Sequence, residues 1–293
     1  MHRFRRSRRW RRLGWPGRAL ALALLALGLG ACVPVDSYVS LGDSYTAGPL
    51  IPNQNQSPAG CLRSDNNYPH LVAPSLALPG FRDVSCSGAD TGDMTSAQGV
   101  SPGPNPPQFN VLDLATKLVT VGIGGNDIGF SEIVQNCSTV TDPFGQPCQD
   151  HYVVNGQDEL SRRIAATGPK VAAVLQGIHS RSPQADVFVV GYPAILPDTG
   201  SGCWPTMPVA FADVPYLRAK VKELNAMLAT QAAANGATYV DTYTPSIGHD
   251  ACQLPTVRWI EPAAPASPAA PVHPNLQGMQ GIAAVVLAAI QAG

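Results

Sequence analysis

Three short blocks carry side chains able to act on an acyl group. Gly42-Asp43-Ser44-Tyr45 closes an apolar run and presents a hydroxyl. Gly124-Gly125-Asn126-Asp127 presents a carboxamide on a glycine-rich turn, and His273-Pro274-Asn275 presents an imidazole near the end of the chain. A hydroxyl with a base beside it attacks a carbonyl, and a fixed amide donor stabilises the oxygen charge that develops. Each block also has a plainer reading: a capped turn for Ser44, a left-handed turn for Asn126, and a helix-start residue followed by Pro274 for His273. The other histidines are worse placed. His2 falls in the leading segment, His179 within a helical pattern, His70 and His151 near tyrosines in surface segments, and His249 beside Cys252.

The blocks gain meaning from the elements around them. Apolar runs of strand length alternate with helix-period stretches, the pattern of an α/β protein with a parallel sheet. Five strands are expected, at Tyr38–Leu41, Phe81–Ser85, Leu118–Ile123, Asp186–Val190 and Thr238–Asp241. Helices are expected at Tyr68–Leu78, Ile128–Gln135, Asp158–Arg181, Pro215–Asn235 and Leu276–Ala292. Ser44 and Asn126 thus follow strand ends, the edge at which open α/β sheets bind ligands. The proline-rich stretches 100–108 and 262–274 read as surface loops that rim the site, the second delivering His273. Apolar side chains near Cys203-Trp204, Met207 and Phe211 either wall a substrate pocket or pack under a disulfide at Cys203.

Residues 1–31 read as an export signal and residues 32–293 as one domain. Eight arginines precede residue 19, no acid occurs before Asp36, and the apolar run Ala19–Ala31 is shorter than a membrane span. The arginine pairs within residues 8–12 resemble a twin-arginine signal. Leu29-Gly30-Ala31-Cys32 resembles a lipobox, which would lipidate Cys32 and tether the protein to a membrane. A cut after Gly28 would instead release a soluble protein. With the signal gone, eleven basic residues face 20 acidic ones, a net charge of about −9 that disfavours nucleic acid as a partner. Nothing in the sequence calls for a second chain, and a monomer acting on a small-molecule or lipid ester is expected.

Cys61, Cys86, Cys137, Cys148, Cys203 and Cys252 remain once Cys32 is set aside. An even count in an exported chain implies three disulfides. Fifteen pairings are open, of which the sequential one closes the shortest loops. A zinc site would want close CxxC spacing, which is missing, so no metal is expected.

Taken together the blocks resemble the SGNH (GDSL) hydrolase superfamily. Ser44 in Gly42-Asp43-Ser44 matches the family's nucleophile, and Gly88 in Cys86-Ser87-Gly88-Ala89 matches the glycine after its second strand. Asn126 matches the asparagine of Gly-x-Asn-Asp, and His273 the base. The resemblance spans the whole domain and extends to secreted actinobacterial lipases, esterases and phospholipases, whose three sequential disulfides suit the cysteines here. It implies a three-layer α/β/α sandwich on a five-stranded parallel sheet. It also implies hydrolysis of carboxylic esters without a cofactor, with the oxyanion held by the Ser44 and Gly88 N–H groups and the Asn126 amide.

One position departs from that pattern. The family often carries an aspartate three residues before its histidine, and here Ala270 stands there. The imidazole must then be oriented by a main-chain carbonyl of Ala270 or Pro271, or by a distant acid such as Glu261 or Asp250. Asp127 reads as a structural hydrogen-bonding residue. Two other functions fit the same blocks: a carbohydrate deacetylase, disfavoured by the scarcity of aromatic residues for sugar stacking, and a noncatalytic cell-envelope binding protein.

Overall fold

The computed structural model describes His2 and residues 35–293. All of the expected export signal except His2, and Cys32 with it, lie outside the described residues.

Strand β1 (Ser37–Gly42) leads through the short helix α1 (Ser44–Ala47) and helix α2 (Tyr68–Val72) to β2 (Gly80–Asp83). Next come β3 (Thr116–Gly122), α3 (Phe130–Asn136), α4 (Gln149–Tyr152), and the small hairpin β4 (Val153–Val154) and β5 (Gln157–Asp158). The remaining elements are α5 (Glu159–Arg181), β6 (Asp186–Val190), α6 (Asp213–Ala234), β7 (Thr238–Val240) and α7 (Leu276–Ala292). The five long-range strands form one parallel sheet in the order β2-β1-β3-β6-β7, as expected from the alternating pattern.

Alternation along the strands decides which layer each residue joins. Val39, Leu41, Val119, Val121, Val187 and Val189 pack toward α5 and α6, while Tyr38, Leu118, Phe188 and Val190 pack toward α2 and α7. The result is a three-layer α/β/α sandwich. Helix α7, apolar over most of its circumference, lies on the sheet through Met279, Ile282, Ala283 and Val286. Its Gly278 and Gly281 are required by Trp259: an added Cβ would come within 2.4 Å of the Trp259 carbonyl oxygen and 2.3 Å of its indole. Among the described residues no helix is long and apolar enough to cross a membrane.

Helix α2 stops earlier than its apolar pattern suggests. Pro74 has no N–H to continue the ladder, and the chain tightens into a 3₁₀ turn at Ala73–Ser75. The three disulfides join Cys61 to Cys86, Cys137 to Cys148, and Cys203 to Cys252, the sequential pattern.

The strand order reverses about β1, with β2 on one side and β3 on the other. This is the topological switch point of an open α/β sheet, where a crevice forms beyond the strand ends. Ser44 follows β1, Gly88 follows β2 and Asn126 follows β3, so all three gather at that crevice.

Candidate functional site

Gly42 ends β1 at φ +152, and an added Cβ would lie 2.4 Å from Thr46 Oγ1 and 2.7 Å from the Gly122 carbonyl oxygen. Only glycine allows so tight a turn. Asp43 then caps α1, its Oδ1 accepting the Tyr45 N–H at 2.8 Å, and Ser44 becomes the first residue of that turn. The Ser44 N–H and the Gly88 N–H have no acceptor among the described residues. Gly88 sits at φ +81, just past the Cys61–Cys86 bridge.

Asn126 stands on the turn after β3, opened by Gly124 at φ +115. Its Nδ2 donates to the Ala89 carbonyl at 2.8 Å, tying the third block to the segment that bears Gly88. Asp127 is engaged structurally: its carboxylate accepts from the Thr91 N–H and hydroxyl and pairs with Lys170.

His273 comes from the loop between β7 and α7 and meets Ser44 across the crevice. Its Nε2 lies 2.8 Å from Ser44 Oγ, and its Nδ1 lies 2.8 Å from the Pro271 carbonyl oxygen. A carbonyl only accepts, so Nδ1 carries the proton and Nε2 is left as the acceptor facing the hydroxyl. Burial lowers the pKa of His273 and so favours the neutral imidazole, against the opposing pull of the Pro271 carbonyl.

Of the four candidates for orienting the imidazole, only Pro271 touches Nδ1. The Ala270 carbonyl accepts the main-chain N–H of His273 instead. Asp250 accepts from the Cys252 N–H and Gln253 Nε2. Glu261, fully buried, pairs with Arg258, takes the Asn275 amide at 2.7 Å, and accepts the Ala266 and Ser267 N–H groups. Burial pushes the Glu261 carboxyl up, but Asn275, Arg258 and these N–H groups together hold it below its usual range. Its main chain exchanges two bonds with the histidine strand, Glu261 N–H to His273 O and Val272 N–H to Glu261 O. Glu261 thus fastens the loop without touching the imidazole.

Several residues of the site carry no local signal in the sequence. Tyr192 donates to Asp43 Oδ2 at 2.5 Å and accepts the Gly125 N–H at 2.8 Å, linking the first and third blocks. Asn225 of α6 clamps the Tyr192 main chain through both its N–H and its carbonyl. Burial raises the Asp43 carboxyl to about 7, despite the Tyr192 and Tyr45 bonds that lower it. Gln108, at the end of the proline-rich stretch 100–108, exchanges two bonds with the main chain of Gly42. Residues 101–104 and Pro106 of that stretch are exposed, Val100 is half-buried, and Asn105 and Gln108 are buried.

Beside Gly125 and Val272 a cavity of about 100 Å³ runs between α3 and α6. Its wall is almost wholly apolar, with Phe130, Ile133, Val134, Val209, Leu217 and Leu224 among the lining residues. Met207 lines it too. Trp204 does not, since its indole donates to the Thr139 carbonyl, and Phe211 meets Phe144 edge to face.

The model of the GDSL-like Lipase/Acylhydrolase family matches residues 40–280. The protein named Lipase 2 of Streptomyces coelicolor is 40% identical over 258 residues, 83% of this chain and 84% of that one. Among solved structures, an extracellular lipase from Streptomyces rimosus aligns at 28% identity with a TM-score of 0.67, covering 87% of this chain and 100% of that one. A phospholipase A1 from Streptomyces albidoflavus shares the fold, with a TM-score of 0.72 at 24% identity over 88% of this chain and 99% of that one.

Proposed function

The chain belongs to the GDSL-like lipase/acylhydrolase family and is a carboxylic-ester hydrolase, and from that premise we propose that it cleaves acyl-lipid esters through a Ser44 acyl-enzyme. The observation that carries this reading is the Ser44 Oγ to His273 Nε2 approach of 2.8 Å beside an apolar cavity.

His273 Nε2 takes the Ser44 proton as Oγ attacks the ester carbonyl carbon. The tetrahedral oxyanion meets the Ser44 and Gly88 N–H groups and the Asn126 amide, donors fixed before the reaction and therefore costing no reorganisation during it. Collapse expels the alcohol, which leaves with the proton from Nε2. Water then enters, loses a proton to Nε2, and releases the acid by the same route. The Pro271 carbonyl keeps the Nδ1 proton in place throughout, so the base is oriented by main chain where relatives often use an aspartate.

The cavity supports an acyl chain over an acetyl group as the preferred substituent. Its wall is almost wholly apolar and offers an acetyl group no polar partner, whereas each methylene of a longer chain buried against it gains about 0.8 kcal/mol. A sugar-acetate substrate would leave the cavity unused. Export is supported by the three disulfides and by an extracellular relative. Mass spectrometry of the mature amino terminus separates lipidated Cys32 from a cut after Gly28.

Labelling by a serine-reactive phosphonate, lost in Ser44→Ala, tests the nucleophile. A series of p-nitrophenyl esters from acetate to palmitate, with a phospholipid added, tests the chain preference. A maximum at acetate would overturn the acyl-lipid reading.

A further inference from the structure

The Pro-rich stretch before β3 does more than connect. Gln98 and Asn105 pair across its neck, exchanging main-chain bonds at 2.9 and 3.0 Å, and the Pro102 carbonyl at its tip accepts the Gly60 N–H. This closed loop holds the Gln98 side chain, 8% exposed, against the segment after β2. There Gln98 Nε2 donates to the Ser87 carbonyl oxygen at 2.9 Å. The same nitrogen is the nearest atom to where a Gly88 Cβ would stand, at 3.6 Å.

The Ser87 carbonyl and the Gly88 N–H belong to one peptide unit. That unit is trans, so the two groups point in opposite directions within a rigid plane. Fixing the carbonyl at one end fixes the direction of the N–H at the other. Glycine at φ +81 is otherwise the residue least able to hold a peptide plane by itself. A bond accepted at the carbonyl also polarises the amide and strengthens the N–H as a donor.

We propose that Gln98 is a positioning residue for ester hydrolysis: its amide holds the Ser87–Gly88 peptide so that the Gly88 N–H is aimed at the developing oxyanion. The inference rests on the oxyanion site proposed above. It assigns a task to a residue 54 positions beyond Ser44 that belongs to none of the four blocks.

The test is Gln98→Met, which keeps length and removes the donor. Gln98→Asn withdraws the amide by one methylene and serves if the first variant does not fold. Loss of an oxyanion donor outright costs about 100- to 1,000-fold in kcat. A donor that is present but loosely aimed is expected to cost less, about tenfold, with KM within twofold. A trifluoromethyl ketone that binds Ser44 as an anionic hemiketal should weaken by the same factor as kcat, while an unreactive ether analogue of the substrate binds unchanged. A merely structural role would lower the melting temperature without this split. A folded variant with wild-type kcat and wild-type ketone affinity overturns the proposal. Asn126→Ala is measured alongside: if it too leaves ketone affinity unchanged, the oxyanion site itself is wrong, and if it alone weakens the ketone, only the role of Gln98 fails.

Discussion

Tyr45 donates its phenolic proton to the carbonyl of Val272 at 2.7 Å, across 227 positions of chain. The residue after Ser44 therefore holds the residue before His273. Val272 needs holding: its φ is +61, a conformation that costs a β-branched residue about 1–3 kcal/mol. With that backbone fixed, the Pro271 carbonyl turns under Nδ1 and the Val272 side chain faces the cavity.

Tyr45→Phe removes this bond while keeping the ring, which packs 5.0 Å from the imidazole. A buried carbonyl left unpartnered costs about 1–3 kcal/mol, so the melting temperature should fall by several degrees. Because Nδ1 and Nε2 lose their alignment, kcat is expected to drop about tenfold with KM little changed, since proton transfer is worth about 100- to 10,000-fold in total. Steady-state kinetics on a soluble ester decide this, and wild-type kcat in a destabilised variant would show that the bond serves stability only.

Asn126→Ala should lower kcat by about 100- to 1,000-fold through loss of one oxyanion donor. It also removes the bond to the Ala89 carbonyl, so a modest loss of stability is expected with it. Circular dichroism checks the fold, and near wild-type kcat in a folded variant would remove Asn126 from the oxyanion site.

Asp250→Asn should keep activity within a few-fold, because its carboxylate serves the turn at Cys252 and Gln253. Glu261→Gln should act chiefly on stability. Breaking a buried pair by neutralising one partner costs about 3–5 kcal/mol, and here it leaves the Arg258 guanidinium, 4% exposed, without its counter-charge. Kinetics below the lowered melting temperature separate the two effects, and a thousandfold loss in kcat from either substitution would mean that a carboxylate orients the imidazole.

The pH dependence of stability should carry the mark of Asp43. Its carboxyl is raised by burial to about 7, above an unfolded value of about 3.9, so the folded state holds the proton more tightly. The stabilising contribution is complete below the unfolded value and is lost as pH rises through about 7. Asp43→Asn does not titrate, and the melting temperature of this variant relative to the wild type should rise between about pH 4 and about pH 7 and level off above that. His273, whose folded pKa is lowered, works in the opposite sense and is common to both proteins, so the difference isolates Asp43. A difference independent of pH would place the Asp43 carboxyl outside this range.

Much of the architecture was legible because it is written locally. Apolar runs set the strands, a 3.6-residue stripe set α5, and the Gly42-Asp43-Ser44, Gly88, Asn126 and His273 blocks marked the strand ends and the final loop where the site stands. Sequential cysteines admitted the pairing observed, although fifteen were open. Boundaries slipped where one proline removed one donor, as at Pro74 in α2.

The sequence by itself determined the fold class, the family and the residue types available for acyl chemistry, because periodicity, turn chemistry and motif spacing are properties of neighbouring residues. Only the tertiary structure decided which group faces Nδ1, since a main-chain carbonyl is present at every position and has no residue type to mark it. The same holds for Tyr45 on Val272, Tyr192 on Asp43 and Gln98 on Ser87: each is a contact between distant segments, made when the sheet brings strand ends together, and unmarked in the spacing of the chain.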